Sequence, residues 1–259
     1  MELKGRGIIV TGGASGIGAA LARRFSAVGA FVAIIDQDPD ATKRVANEVA
    51  GLALPGDVSD PDIMPMFTAI AEDRFGQLDL VVLNAGMEGG QSGTHDLDVD
   101  SYRRLVGVNI DHVVFGLCAA VPALRRAGGG TILAIASLAG LFPMPGDPLY
   151  TMTKHAVVGY VRAAAVSLAE EGIRVCAVCP GFADTPLIAA QRDQFGDFPP
   201  LSTDDVANAV DAVLEHGKPG EAWFVQPGRE PAPYGFRGIP GPAGGTRPPE
   251  VDWGKRSAE

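Results

Sequence analysis

The feature that most restricts this chain is a rhythm. Short apolar runs, "GIIV", "FVAII", "LDLVVLN", "TILAIAS", "IRVCAVC" and "AWFVQ", alternate with longer amphipathic stretches between Leu3 and Gln226. Runs of that length separated by helical segments build βαβ units, whose crossovers make neighbouring strands parallel and lay helices on both faces of the sheet. Residues 1–226 are therefore expected to form a single α/β domain, a doubly wound parallel sheet of about seven strands with its ligands at the strands' carboxyl ends. No internal repeat is evident. From Pro227 the composition changes to "PGREPAPYGFRGIPGPAGGTRPPEVDWG", too rich in proline and glycine for a helix or a central strand. Residues 227–259 read as a tail with two open fates. It docks on a neighbouring subunit, anchored by Tyr234, Phe236 and Trp253, or it stays disordered.

Composition removes several function classes. A chain of 259 residues with 46% hydrophobic and 20% charged residues suits one globular domain, and its formal charge of −10 opposes any partner bound by neutralising phosphates. No nucleic acid is expected. Met1 to Val10 lacks the basic and long apolar regions of a secretory signal, so a cytoplasmic location is expected. Ala127 to Gly146 carries no charge over nearly the length of a membrane span, but glycines open it and prolines close it. What remains suits a buried strand, and no membrane partner is expected. Cys176 and Cys179 form a CxxC within a β-branched run, where core packing is the expectation rather than redox chemistry. The four histidines, His95, His112, His155 and His216, are scattered, and no metal is expected.

The first chemical motif is "VTGGASGIGAALARRF". Gly12, Gly16 and Gly18 lie between a strand and a helix, where glycines permit close approach to a pyrophosphate and the helix N-terminus offers N–H groups to an anion. The strand "FVAII" ends in Asp36, near the distance at which an acidic residue meets the adenosine ribose in such Rossmann-type folds. A carboxylate there accepts ribose hydroxyls and repels a 2′-phosphate. Neither Gln37 nor Ser15 brings a cation beside it, so NAD is expected over NADP.

Several separated motifs now agree in order, and the chain from about Leu3 to Gln226 resembles the short-chain dehydrogenase/reductase family. "TGGASGIG", with Gly12, Ser15, Gly16, Ile17 and Gly18, is similar to its cofactor loop. "GDV", with Asp57 and Val58, is similar to its adenine contact, and Asn84, Ala85 and Gly86 to the segment steadying the central sheet. Pro180, Gly181 and Thr185 in "PGFADT" match a further cofactor segment. The resemblance implies that Asn109, Ser137, Tyr150 and Lys154 are catalytic, that Lys154 also binds the nicotinamide ribose, and that Asn109 holds a water in a relay from Lys154 to solvent.

The chemistry also follows from the residues. Moving hydride between a secondary alcohol and nicotinamide needs a group that exchanges the hydroxyl proton. A tyrosine, ordinarily near pKa ~10, becomes such a base when a cation or helix dipole stabilises its phenolate. Asp147 reads as an N-cap and Pro148 as a first helical residue, which puts Tyr150 near the dipole's positive end and Lys154 one turn on along the same face. Ser137, at the carboxyl end of "TILAIAS", is placed to hydrogen-bond the substrate oxygen. The expected function is alcohol/ketone interconversion with NAD. An epimerase, dehydratase or enoyl reductase on the same scaffold, and a non-catalytic NAD-binding module, are the alternatives.

The expected pocket lies between "LAGLFPMPGDP", "MEGGQSG" and "GFADTPLIAAQRDQFGDFPPL", with Leu138, Phe142, Met144, Leu187, Ile188 and Phe198 as walls and no clustered cations. A neutral, hydrophobic small-molecule alcohol or ketone fits it best. The helices near Tyr102 to Arg126 and Lys154 to Glu171 show apolar residues on more than one face, and a homotetramer, or at least a dimer, is expected.

Overall fold

The computed structural model describes residues 2–89, 95–238 and 240–242. Among them are eight strands in one sheet: β1 (Gly7–Thr11), β2 (Phe31–Asp36), β3 (Leu52–Pro55), β4 (Leu80–Leu83), β5 (Gly130–Ile135), β6 (Ile173–Pro180), β7 (Ala222–Val225) and β8 (Ala232–Pro233). Their order is β3-β2-β1-β4-β5-β6-β7-β8, parallel except for β8. The chain winds outward from β1 to β3, then returns to start the other half at β4. The crevice between β1 and β4 is thus the topological switch point, where a doubly wound sheet binds its ligand.

Both sheet faces are covered, which explains the unbroken apolar runs. Ile9, Ile35, Val81, Leu83, Ile132 and Val175 point to a core closed by α3 (Ile63–Phe75), α5 (His112–Arg126) and α6 (Pro148–Ala169). Ile8, Val10, Ile34, Val82, Leu133 and Val178 point to the opposite core under α1 (Gly16–Ala27), α2 (Pro39–Glu48) and α7 (Thr203–His216). Cys176 and Cys179 fall on opposite faces of β6, because residues three apart in a strand point oppositely. They cannot act as a redox pair, and burial pushes both thiols up, to about 11 and about 12.

Local chemistry sets the helix starts. Asp38 caps α2 ahead of Pro39, Ser202 and Asp205 form a reciprocal capping box at α7, and Asp147 accepts the Tyr150 N–H at the start of α6. α4 (Val99–Val106) runs into α5 through a π-helical turn, Gly107–Asp111, giving 28 continuous residues apolar and long enough to cross a membrane. Val113, Leu117, Ala120 and Leu124 of this stretch pack into the core on the sheet's α3–α5–α6 side. A Cβ at Gly116 would overlap the Leu83 side chain, so glycine lets α5 lie directly on the sheet. The charge-free stretch from Ala127 to Gly146 contains β5 and the loop after it.

Two strands were not among the apolar runs. β3, "LALP", has only four residues at the sheet margin and ends on a proline. β8 comes from the proline-rich tail and pairs antiparallel with β7, Trp223 opposite Pro233 and Phe224 opposite Ala232. Proline is tolerated there because β8 is an edge strand. Beyond it, Tyr234 meets Phe236 edge-to-face at 5.0 Å, and the Arg162 guanidinium lies 3.6 Å from the Phe236 ring centre. The tail up to residue 238 thus packs on its own chain. Trp253 and the end of the tail, with the expected docking on a neighbouring subunit, lie outside the described residues.

Candidate active site

The glycine loop is shaped by the strand beside it. Thr11, the last residue of β1, accepts the backbone N–H of Asn84 at 2.9 Å and of Ala85 at 3.1 Å on its hydroxyl. Asn84 Nδ2 in return donates to the carbonyls of Thr11 at 2.9 Å and Gly12 at 3.2 Å. The two sides of the crevice are therefore stitched together at its floor. Gly12 and Gly16 have positive φ, 60° and 49°, and a Cβ on Gly18 would come 2.7 Å from Asn84 Nδ2 and overlap the Gly12 carbonyl. A side chain at any of these positions would fill or strain the cradle.

This cradle fits a dinucleotide. Ser15 stands at the N-cap of α1 without capping it, and the first turn of α1, which includes Ile17, holds no acidic residue. Its N–H groups are available to a pyrophosphate. A Cβ on Gly16 would sit 3.2 Å from the Thr185 side chain, which brings the "PGFADT" segment against the loop from the other half of the sheet. Pro180 ends β6, and the Gly181 N–H donates to Val225 O at 2.9 Å. Asp36 ends β2, and its carboxylate accepts the N–H of Ala14 at 3.1 Å and of Asp38 at 3.2 Å. Asp57 follows β3 next door, its carboxylate accepting the Ser59 N–H at 3.0 Å and hydroxyl at 2.8 Å, while Val58 is buried. One neighbour was not legible in the sequence: Arg104 of α4, distant along the chain, reaches to 3.4 Å from Gln37 Oε1.

The second cluster stands on β5 and α6. Ser137 follows β5 and accepts the Ala139 N–H. Lys154 is buried, donates from Nζ to the Ile135 carbonyl at 3.2 Å, and lies 5.5 Å from the Tyr150 ring centre. Burial pulls its pKa down to about 8. Burial likewise raises the Tyr150 phenol to about 12, against a lowering hydrogen bond from Ser137, with the Asp147, Cys179 and Glu88 charges adding to the rise. Some of the Tyr150 side chain reaches solvent, but the dense protein around it governs the direction. The bias expected for the phenol is thus reversed: desolvation outweighs the Ser137 hydrogen bond that favours the phenolate.

Asn109 sits in the π-helical turn, fully buried. Its Nδ2 donates to Met87 O at 2.8 Å and Thr153 Oγ1 at 3.1 Å, and its Oδ1 accepts the Met87 N–H at 2.9 Å. The side chain clamps the strand end after "NAG" against α6. A Cβ at Gly86 would come 3.3 Å from Lys154 Nζ and 3.5 Å from Asn109 Oδ1, so this backbone lies directly over the amine.

Other residues join the site only through the fold. Asp147 caps α6 with one oxygen and accepts the Gly89 N–H at 2.7 Å with the other, tying the "NAG" loop to the tyrosine's helix. His112 is fully buried, with Nε2 2.9 Å from Thr11 Oγ1; burial first, then the Lys154 charge, pull its pKa down to about 3. It is a neutral brace beneath the cradle. Of the expected pocket walls, Phe142, Leu187 and Phe198 are exposed, Phe198 within an aromatic cluster with Phe182 and Phe195. Leu138 contacts the position a Gly181 Cβ would take. Residues 90–93 of "MEGGQSG" lie outside the described residues. A separate open groove of about 370 Å³ between α3 and α5, lined by Pro65, Thr68, Phe115, Cys118, Pro122 and Arg126, contains none of these groups.

A nucleotide cradle at the switch point, with a tyrosine, lysine and serine beside it, defines a nicotinamide-dependent oxidoreductase. The family model described as short chain dehydrogenase matches residues 6–195, and the chain belongs to that family. It is 36% identical to the cyclohexanol dehydrogenase of Acinetobacter sp. (strain SE19), covering 70% of this chain and 74% of that protein. Among solved structures, a 3-ketoacyl-(acyl-carrier-protein) reductase from Brucella melitensis complexed with NADH is 32% identical with a TM-score of 0.81, covering 88% of this chain and 99% of that one. A short chain dehydrogenase from Burkholderia cenocepacia J2315 in complex with NADP is 30% identical with a TM-score of 0.78, covering 87% and 98%. The protein is an alcohol/ketone oxidoreductase that uses a nicotinamide cofactor.

Proposed function

We propose that the protein oxidises a neutral, cyclic secondary alcohol to its ketone with NAD, Tyr150 taking the hydroxyl proton. The observation that carries this is the convergence of Ser137, Tyr150 and Lys154 beside the glycine cradle at the carboxyl ends of the central strands. When bound, the nicotinamide would supply the hydride acceptor and, in its oxidised form, a positive charge that, with the Lys154 ammonium, favours the Tyr150 phenolate against the desolvation of its site. Tyr150 holds the substrate oxygen and exchanges its proton. Ser137 orients that oxygen by hydrogen bonding. Lys154 holds positive charge beneath the tyrosine and the ribose, with Asn109 keeping the loop above it in place. Gly12, Ser15, Gly16, Ile17 and Gly18 hold the pyrophosphate, with Asn84, Ala85 and Gly86 as floor. Asp57 and Val58 face the adenine, and Pro180, Gly181 and Thr185 close the nicotinamide end. Asp36 selects NAD by repelling a 2′-phosphate.

The cyclic substrate is favoured by likeness to cyclohexanol dehydrogenase and by the uncharged aromatic character of Phe182, Phe195 and Phe198. We place the enzyme in the cytoplasm as a homotetramer. The groove on α5 with Phe115 and Cys118, and the exposed Val166 on α6, offer apolar faces to a second copy. Tyr150→Phe removes the proton-exchanging hydroxyl while leaving the cradle intact. Turnover of cyclohexanol with NAD, followed by absorbance of the reduced cofactor, is expected to fall at least a thousandfold, with NAD affinity within threefold. Retention of more than a tenth of the activity refutes the assignment of Tyr150.

A further inference from the structure

The backbone from Asn84 to Met87 forms the floor of the crevice, and one short stretch of helix holds both of its ends. Asn109 takes the far end, its Oδ1 and Nδ2 bonded to the N–H and carbonyl of Met87. At the near end, the Asn84 and Ala85 N–H groups rest on the Thr11 hydroxyl at 2.9 and 3.1 Å. That hydroxyl lies 2.9 Å from Nε2 of His112, three residues beyond Asn109 and on the same side of the helix. Between the two ends, the Gly86 backbone passes over the Lys154 amine.

Valence fixes the direction of the bond between Thr11 and His112. A hydroxyl has two lone pairs and one proton. Both lone pairs are taken by the two N–H groups, so the proton must leave along a third bond. Two acceptors stand near it: the Val82 carbonyl at 3.4 Å, beyond the usual O–H···O range, and Nε2 at 2.9 Å. Were Nε2 protonated, three donors would converge on one oxygen. The proton of the neutral ring therefore belongs on Nδ1. Nδ1 is buried without a well-aligned partner among the described residues, and the backbone group that favours a proton on the ring is the Val108 carbonyl, one turn back. A bare lone pair beside that carbonyl would be repelled.

We propose that His112 is a positioning residue for the cofactor: as acceptor of the Thr11 proton it fixes the rotation of that hydroxyl, so that both lone pairs face Asn84 and Ala85. With Asn109 it makes the π-helical turn a two-point clamp on the backbone that separates cofactor from lysine. The proposal rests on the cofactor reading above in taking this floor as the cofactor's seat. Without an acceptor at this place the hydroxyl turns towards Val82, and its lone pairs leave at least one of the two N–H groups unpaired.

Two measurements test this, and the first needs no altered active site. In isotope-labelled wild-type protein at pH 7, long-range proton–nitrogen spectra should show His112 with a protonated Nδ1 and a bare Nε2, its signals assigned by their loss in His112→Gln. The opposite tautomer, or a doubly protonated ring, overturns the proposal. The second is NAD affinity by calorimetry. His112→Phe, which fills the site without an acceptor, should weaken binding about fivefold to tenfold, the scale of one hydrogen bond. Thr11→Val should do the same, and the double variant should lose no more than the larger single loss. His112→Gln, whose amide oxygen can stand where Nε2 stood, should remain within threefold of wild type. Additive losses in the double variant, or a glutamine variant as weak as the phenylalanine one, would make His112 a filler of the core and overturn the proposal. If His112→Phe does not fold, the wild-type tautomer and the glutamine variant decide. The expected tautomer in a protein that binds neither NAD nor NADP would leave the Thr11–His112 bond standing and refute the cofactor reading instead.

Discussion

Replacing Lys154 with methionine should make this enzyme more stable while disabling it. The side chain is buried, and enclosure moves its pKa from an ordinary 10.5 to about 8. At ~1.4 kcal/mol per pKa unit, holding the ammonium there at neutral pH costs about 3 kcal/mol. Methionine fills similar volume without that charge, but leaves the Ile135 carbonyl without its 3.2 Å donor, a loss of about 1 kcal/mol. The expected net gain at pH 7 is therefore about 2 kcal/mol. The pH dependence carries a definite sign. The folded-state pKa lies below the unfolded one, so between about pH 8 and 10.5 the unfolded chain holds a proton that the native protein has released. Wild-type stability from this group rises with pH across that window and is flat below it. The gap between wild type and variant should accordingly narrow to less than about 1 kcal/mol by pH 9.5. Urea unfolding at fixed protein concentration, at pH 7 and pH 9.5, measures both quantities. A variant less stable than wild type at pH 7, or a gap that does not change with pH, refutes the reasoning that burial of the charge is a cost the fold carries for function.

Two further substitutions separate the two ends of the sheet. Gly18→Ala forces a methyl against Asn84 Nδ2 and the Gly12 carbonyl, so the cradle must open; NAD affinity, read by calorimetry, should weaken at least thirtyfold, the equivalent of about 2 kcal/mol. An affinity within threefold of wild type would show that the loop does not approach the cofactor. Asp79, at the opposite ends of the strands, is buried and accepts the Gly7 N–H at 2.9 Å and an Arg6 guanidinium nitrogen at 2.8 Å. Asp79→Ala should cost about 3 kcal/mol in urea unfolding, since it strands a buried N–H, while NAD affinity stays within threefold. A loss below about 1 kcal/mol would mean that this carboxylate does not anchor β1.

Much of this protein can be read in one dimension because its fold is built from local signals. The apolar runs named six strands, since strands buried on both faces need no polar alternation. The glycine spacing located the cradle, since only glycine tolerates φ of 60° beside another backbone. "DPLY" placed the tyrosine in a first helical turn, because capping chemistry is set within four residues. β3 was missed for brevity and β8 because proline argues against strands except at an edge.

What the sequence by itself determined, then, is the α/β class and the glycine loop after β1, and it supplied the side chains proposed as catalytic, each from residues close along the chain. The tertiary structure alone decided how these groups are charged and braced. Burial moves Tyr150 up and Lys154 down, and desolvation depends on everything that surrounds a group, not on its neighbours in sequence. It likewise set His112 under Thr11, Arg104 beside Gln37, and Glu88 against Gln191, pairs separated by dozens of residues and joined only because the sheet gathers its loops at one edge.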